Sequence, residues 1–291
     1  MIKKLSLSII FSMTFFANGC ALWQTGEPPK TKDFSIENHS YKTALKYHSP
    51  EKKDKIVSQL PENVRKMLNS DHTQLLRYAQ TKYNQANVKD FVCTFTKQER
   101  IKGTLKPKQV SRVRFRRKPF SLVMIIKEGA GLSDRIFYQE GKNIDKKTKR
   151  SMMLARVDIL GAKSTHKKLP DDSMVMSQTL KPCTEFGIAN SFKNLINVYE
   201  EAKSKGHLQE YFAGTTTVDG KDCIVLVRIL EKGPNYPAYI TETCLDAKTL
   251  LPLRIVGYDW NKNFSNNYEY SKLKLNANLT DKHFNPKRYG F

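Results

Sequence analysis

The common signatures of chemistry are missing from this sequence. No two of its six histidines (His39, His48, His72, His166, His207 and His283) stand at metal-ligand spacing. There is no Gly-x-Ser-x-Gly elbow, no phosphate loop and no dinucleotide fingerprint. These absences take away the best-marked hydrolase, nucleotide-dependent and metal-dependent classes, so no catalytic residue, metal site or cofactor is expected. Repeats and low-complexity segments are lacking too, which leaves no sign of an internal domain boundary. Acidic residues are few, 28 against 50 lysines and arginines, for a formal charge of +22. Such an excess calls for an acidic partner or surface: nucleic acid, anionic lipid head groups or an acidic polymer.

Lys3 and Lys4 precede an apolar run over residues 5–16, the length of a secretory h-region and too short to span a bilayer. The run leads into Ala17-Asn18-Gly19-Cys20, which resembles a bacterial lipobox with Ala17 in place of the commoner leucine. In that motif the cysteine takes a diacylglyceryl group, a reaction that suits a nucleophilic thiolate, and the peptide is cut just before it. Residues 1–19 are therefore expected to be a signal peptide and Cys20 the lipidated amino terminus. The alternative is an ordinary secretory signal with a chance cysteine. Cleavage removes only Lys3 and Lys4 among the charged residues, leaving +20. Two or more acyl chains, at about 0.8 kcal/mol per buried methylene, hold a protein firmly on its membrane. Ala21 stands where an aspartate would resemble an inner-membrane retention signal, which points to the outer membrane, facing the periplasm. Residues 20–40 read as the lipidated start and an unpacked tether, and residues 41–291 as a single β-rich domain. Export makes nucleic acid the least suited partner, and none is expected; anionic lipid is the simplest.

Strands dominate. Residues 90–100, 109–117 and 121–127 form a three-strand meander punctuated by Gly103, Pro107 and Lys118-Pro119. In the middle strand Arg112, Arg114 and Arg116 alternate with Val113 and Phe115, so the arginines share one face, a candidate contact for an anionic surface or simply a solvated one. The third strand is apolar on both faces and is expected to be buried on both. Five more strands follow at residues 208–218, 222–230, 238–246, 251–258 and 267–275, with a tight hairpin at Asp219-Gly220 and a turn at Asp246. Glu99, beside Arg100, is expected in a strand-surface ion pair.

Helices are few. One is expected from Ser70 or Asp71 to Asn87, and an earlier polar one over residues 51–68, broken or kinked at Pro61. The clearest covers residues 185–204, where Ile188, Phe192, Leu195, Ile196 and Tyr199 recur at helical spacing. It reads either as a cover over an apolar cavity or as a plain core helix. Cys93, Cys183, Cys223 and Cys244 allow three pairings. Folding the two strands around Gly233-Pro234 brings Cys223 near Cys244, which favours that disulfide over two separate buried thiols.

The residues also carry a resemblance. Phe91-Val92-Cys93-Thr94-Phe95-Thr96-Lys97-Gln98-Glu99-Arg100, Lys118-Pro119-Phe120, Phe137-Tyr138-Gln139-Glu140-Gly141, Phe186-Gly187-Ile188 and the closing Tyr289-Gly290-Phe291 resemble the DUF1571 family of exported bacterial proteins. More distantly, Leu245-Asp246 through Leu251-Pro252-Leu253-Arg254 resembles a hairpin of the carriers that ferry lipoproteins across the periplasm. That resemblance implies a mainly β fold with α: a large, antiparallel, unclosed β-barrel with helices on its concave side. It also implies a lipid or acylated ligand in the cup; the soluble carriers are not lipidated, so a lipidated Cys20 makes this chain look more like a membrane-held receptor than a shuttle. The competing reading is an envelope scaffold whose basic face rests on anionic lipid; an unrecognised enzyme is a third.

Overall fold

The computed structural model describes residues 45–159, 161–233 and 236–291. Cys20, the signal segment and the tether lie outside the described residues. Three helices open the described chain: α1 (Pro50–Ser58), α2 (Glu62–Ser70) and α3 (His72–Gln85). The early helical stretch is broken at Pro61, which caps α2, because its missing N–H is harmless at a helix start. Asp71 caps α3 by accepting from the Gln74 N–H at 3.0 Å.

Twelve strands then build one antiparallel sheet: β1 (Asp90–Ile101), β2 (Thr104–Leu105), β3 (Gln109–Arg116), β4 (Ser121–Glu128), β5 (Ser133–Gln139), β6 (Met153–Ile159), β7 (Ala162–Lys168), β8 (Leu208–Val218), β9 (Lys221–Leu230), β10 (Ile240–Asp246), β11 (Pro252–Tyr258) and β12 (Phe264–Leu275). Their spatial order is β7-β6-β5-β4-β3-β1-β12-β11-β10-β9-β8, with β2 beside β1. The long strands β1 and β12 pair at the centre, while β7 and β8 are edges, so the barrel is unclosed. Asp219 and Gly220, at φ of 50° and 72°, make the β8–β9 turn, the left-handed pair that a two-residue hairpin requires.

Between β7 and β8 the chain crosses the inner face of the sheet as α4 (Ser173–Met176) and α5 (Ile188–Ser204). Helix α5 starts three residues later than the spacing suggested. Its start is fixed by Gly187, at φ 113°, where a Cβ would sit 3.1 Å from the Phe115 ring. Just before it, Phe186 packs among Phe91, Phe95, Phe115 and Tyr270. Ile188, Phe192, Leu195, Ile196 and Tyr199 are all buried, each contributing about 2 kcal/mol of apolar burial.

The outer face of β4–β6 is covered by the carboxyl-terminal segment. Val123, Phe137 and Leu154, aligned by register, pack against Phe284 and Tyr289. That cover is why β4 is buried on both faces at its start.

The four described cysteines are free thiols, which overturns the expected Cys223–Cys244 bridge. Register supplies the reason: Cys244 lies opposite Val225 and Cys223 opposite Asp246, so the two thiols are diagonal neighbours and not a facing pair. Burial pushes the Cys223 thiol up to about 12, as fits a small core side chain.

Candidate functional site

A cavity of about 990 Å³ lies between the inner face of the sheet and the segment running from α4 into α5. This is the upper end of the range for small-ligand sites. The period of two along each strand decides what lines it. At one end, β4 contributes Met124 and Ile126, β5 Ile136, and β6 Ala155 and Val157, with Met174, Val175 and Leu180 facing them. That end is apolar.

The other end is charged. Glu99, 2% exposed, accepts from the Tyr268 hydroxyl at 2.7 Å through Oε1 and from Lys97 Nζ at 3.1 Å through Oε2. Lys97 also donates to Thr179 Oγ1 at 2.9 Å, tying the crossing segment to the sheet. Burial and the Glu99 charge push the Tyr268 phenol well above its ordinary value. Lys181 stands 5.8 Å over the Tyr268 ring; its exposed surface faces this cavity, and desolvation by the surrounding protein lowers its pKa. Arg228 from β9 and Thr241 from β10 complete this end.

Glu99 therefore does not pair with Arg100 on the surface. Adjacent strand residues point to opposite faces, so its partner is Lys97, two positions away, while Arg100 donates to the Phe264 and Gly103 carbonyls.

Of the five residues expected to cover a cavity, only Leu195 lines it. Leu195 lines the cavity together with Ser191, Asn194, Asn197 and Val198, so one flank of the helix is a cavity wall. Ile188, Phe192, Ile196 and Tyr199 are buried away from the cavity lining and do the work of a core helix.

Arg112, Arg114 and Arg116 share the outer face, as their alternation requires, but their surroundings differ. Arg112 is exposed. Arg114 stands 5.7 Å from the Tyr289 ring, and Arg116 lies 4.7 Å from the Phe284 ring while donating to Asp281 Oδ1 at 2.6 Å. Two of the three thus hold the carboxyl-terminal segment in place.

Sequence reasoning did not single out Lys97, Thr179, Lys181, Arg228 or Tyr268. For Arg228 a signal was present: a lone arginine in phase with Ile224, Leu226 and Leu230 in a strand apolar on both faces. Among the described residues no group of three or more His, Cys, Asp or Glu side chains is placed to hold a metal ion. No described helix is long and apolar enough to cross a membrane.

Several solved structures are similar over most of this chain at low identity. A DUF1329 family protein from Desulfovibrio piger matches at TM-score 0.36 and 13% identity, over 75% of this chain and 99% of that one. The Mycobacterium tuberculosis lipoprotein LppX matches at 0.37 and 11%, over 70% and 98%. A LolA superfamily protein from Nitrosomonas europaea matches at 0.23 and 9%, over 73% and 98%. No curated protein matches the sequence. The profile of the family described as "Protein of unknown function (DUF1571)" matches residues 88–291, so the chain belongs to that family.

Proposed function

We propose that this protein binds a lipid or acyl chain in the cup of its half-barrel, as a membrane-anchored carrier or receptor of the cell envelope. The observation that carries the reading is the cavity of about 990 Å³ whose β4–β6 and α4 walls are apolar. An apolar space of this size is costly to leave hydrated, and an acyl chain is the ligand that gains most from it. Anchoring through Cys20, with the domain facing the periplasm from the outer membrane, belongs to the same proposal. Binding, rather than turnover, is the role assigned: the buried carboxylate in the cavity, Glu99, is fully occupied by Lys97 and Tyr268.

Residues 41–291, exported without Cys20 and purified without detergent, test this directly. Native mass spectrometry should show a protein-bound species that organic extraction releases as lipid. A domain recovered free of lipid, and taking up none from vesicles, would contradict it.

A further inference from the structure

We propose that Arg228 is a headgroup site, so that the ligand of this cavity is an amphiphile carrying an anionic oxyanion, carboxylate or phosphate. The inference rests on the cavity being a lipid site and adds which lipids it selects.

Arg228 is 2% exposed and stands in the cavity wall. Its Nη2 donates to Thr241 Oγ1 at 2.9 Å, and its guanidinium lies 5.1 Å from the Tyr199 ring. Its Nε and Nη1 have no hydrogen-bond partner. A buried guanidinium without an anion is costly, and an apolar side chain of similar volume would serve a purely structural position better.

No carboxylate of the described chain fills the gap. Glu210, directly across the strand pair, accepts from the His72 N–H at 3.0 Å through Oε1, and its Oε2 makes no hydrogen bond or ion pair with Arg228. Glu99 is held by Lys97 and Tyr268. Glu185 accepts from Asn194 at 3.3 Å.

The planar fork of a guanidinium offers adjacent N–H groups in the geometry that carboxylates and phosphates take up in pairs. Lys181 is a second cation at the same end of the cavity, with the Glu185 and Glu99 carboxylates as well as Arg228 acting on it. The apolar β4–β6 wall lies at the other end. A chain with its anion at Arg228 and its tail along Met124 and Ile126 satisfies both ends at once.

The test uses membranes carrying the full chain. They are irradiated with three probes that bear a diazirine on the tail: hexadecanoate, hexadecyl phosphate and hexadecanol. Labelled peptides are then quantified. Peptides of β4 and α4 should be labelled about tenfold more by an anion than by the alcohol, the ratio expected of a charge-assisted hydrogen bond. Which anion labels more identifies the headgroup. Arg228→Met should bring the anions down to the alcohol's level, and Arg228→Lys should restore part of the preference. Lys181→Gln, on an exposed connection, should reduce the preference without touching the core, and it decides the matter if Arg228→Met does not fold. Equal cavity labelling by all three probes in the parent would overturn the headgroup assignment and leave the lipid site standing. Absence of cavity labelling by any probe would overturn both.

Discussion

The two faces of the sheet carry their arginines differently. On the outer face Arg116 meets Asp281 and the Phe284 ring, Arg135 donates to the Tyr289 carbonyl, and Arg156 pairs with Asp134. On the inner face Arg228 meets a hydroxyl and a ring but no anion. Arg116 and Arg135 are matched by groups of the carboxyl-terminal segment and clamp it, Arg156 is paired within the sheet, and Arg112 faces solvent. Arg228 is matched by that hydroxyl and ring but by no anion of the described chain. On the proposed reading the inner arginine is left for a ligand while Arg116 and Arg135 are structural, a difference that a net charge alone could not reveal.

The contrast can be broken from the outer side first. Phe284→Ala removes the ring that Arg116 covers and that packs on Val123, Phe137 and Leu154. Urea unfolding should show a loss of about 3–5 kcal/mol, the largest effect expected here. A loss below about 1 kcal/mol would mean the carboxyl-terminal segment is not a clamp.

The arginines themselves give the next effect. Arg116→Met should cost about 1–2 kcal/mol through the lost ring contact and hydrogen bonds. Arg228→Met in the lipid-free domain should leave stability unchanged or raise it, by up to about 4 kcal/mol, because it removes an uncompensated buried charge. Equal losses in the two variants would erase the distinction between the faces.

A smaller effect follows from Asp134. Its hydrogen bond to Arg156 holds the carboxyl below its ordinary range, with Arg135 adding to the pull. A carboxylate with a depressed folded-state pKa adds stability above its unfolded value of about 3.9, and that stability disappears as pH falls through the folded value. Asp134→Asn should thus cost no more than about 1 kcal/mol at neutral pH, since the pair is partly solvated. The gap from the parent should close in acid. A gap independent of pH would exclude the ion pair as its cause.

Much of the fold was legible because burial imposes periodicity. The eight strands with clear alternation or apolar runs appear within a few residues of where the pattern put them, as do α3 and α5. Strands β5 to β7 were not legible. β7, Ala162–Lys168, is exposed along nearly its whole length, so no core marks one of its faces. Ser133–Gln139 mixes charged and apolar residues for another reason: its outer face is covered by chain from far along the sequence. Helix α4 is a single turn, too short to show a period. For the cavity, the sequence offered the apolar side of α5 but not the charged end. Lys97, Tyr268, Lys181 and Arg228 meet only through strand register and a long crossing, neither of which is local. The misplaced Glu99 pairing came from reading neighbours along the chain where only alternate residues share a face.

If the cavity holds an acyl chain, filling the cavity with a side chain should expel it. Met124 lies at the apolar end, is only half-buried, and is flexible enough for its replacement to occupy the space without disturbing the outer face. Met124→Trp and the parent domain, purified side by side without detergent, should unfold at similar urea concentrations. Their native mass spectra should differ: bound lipid in the parent, and little or none in the variant. The same lipid at the same occupancy in both would contradict the account, because the chain would then be bound somewhere other than this cavity.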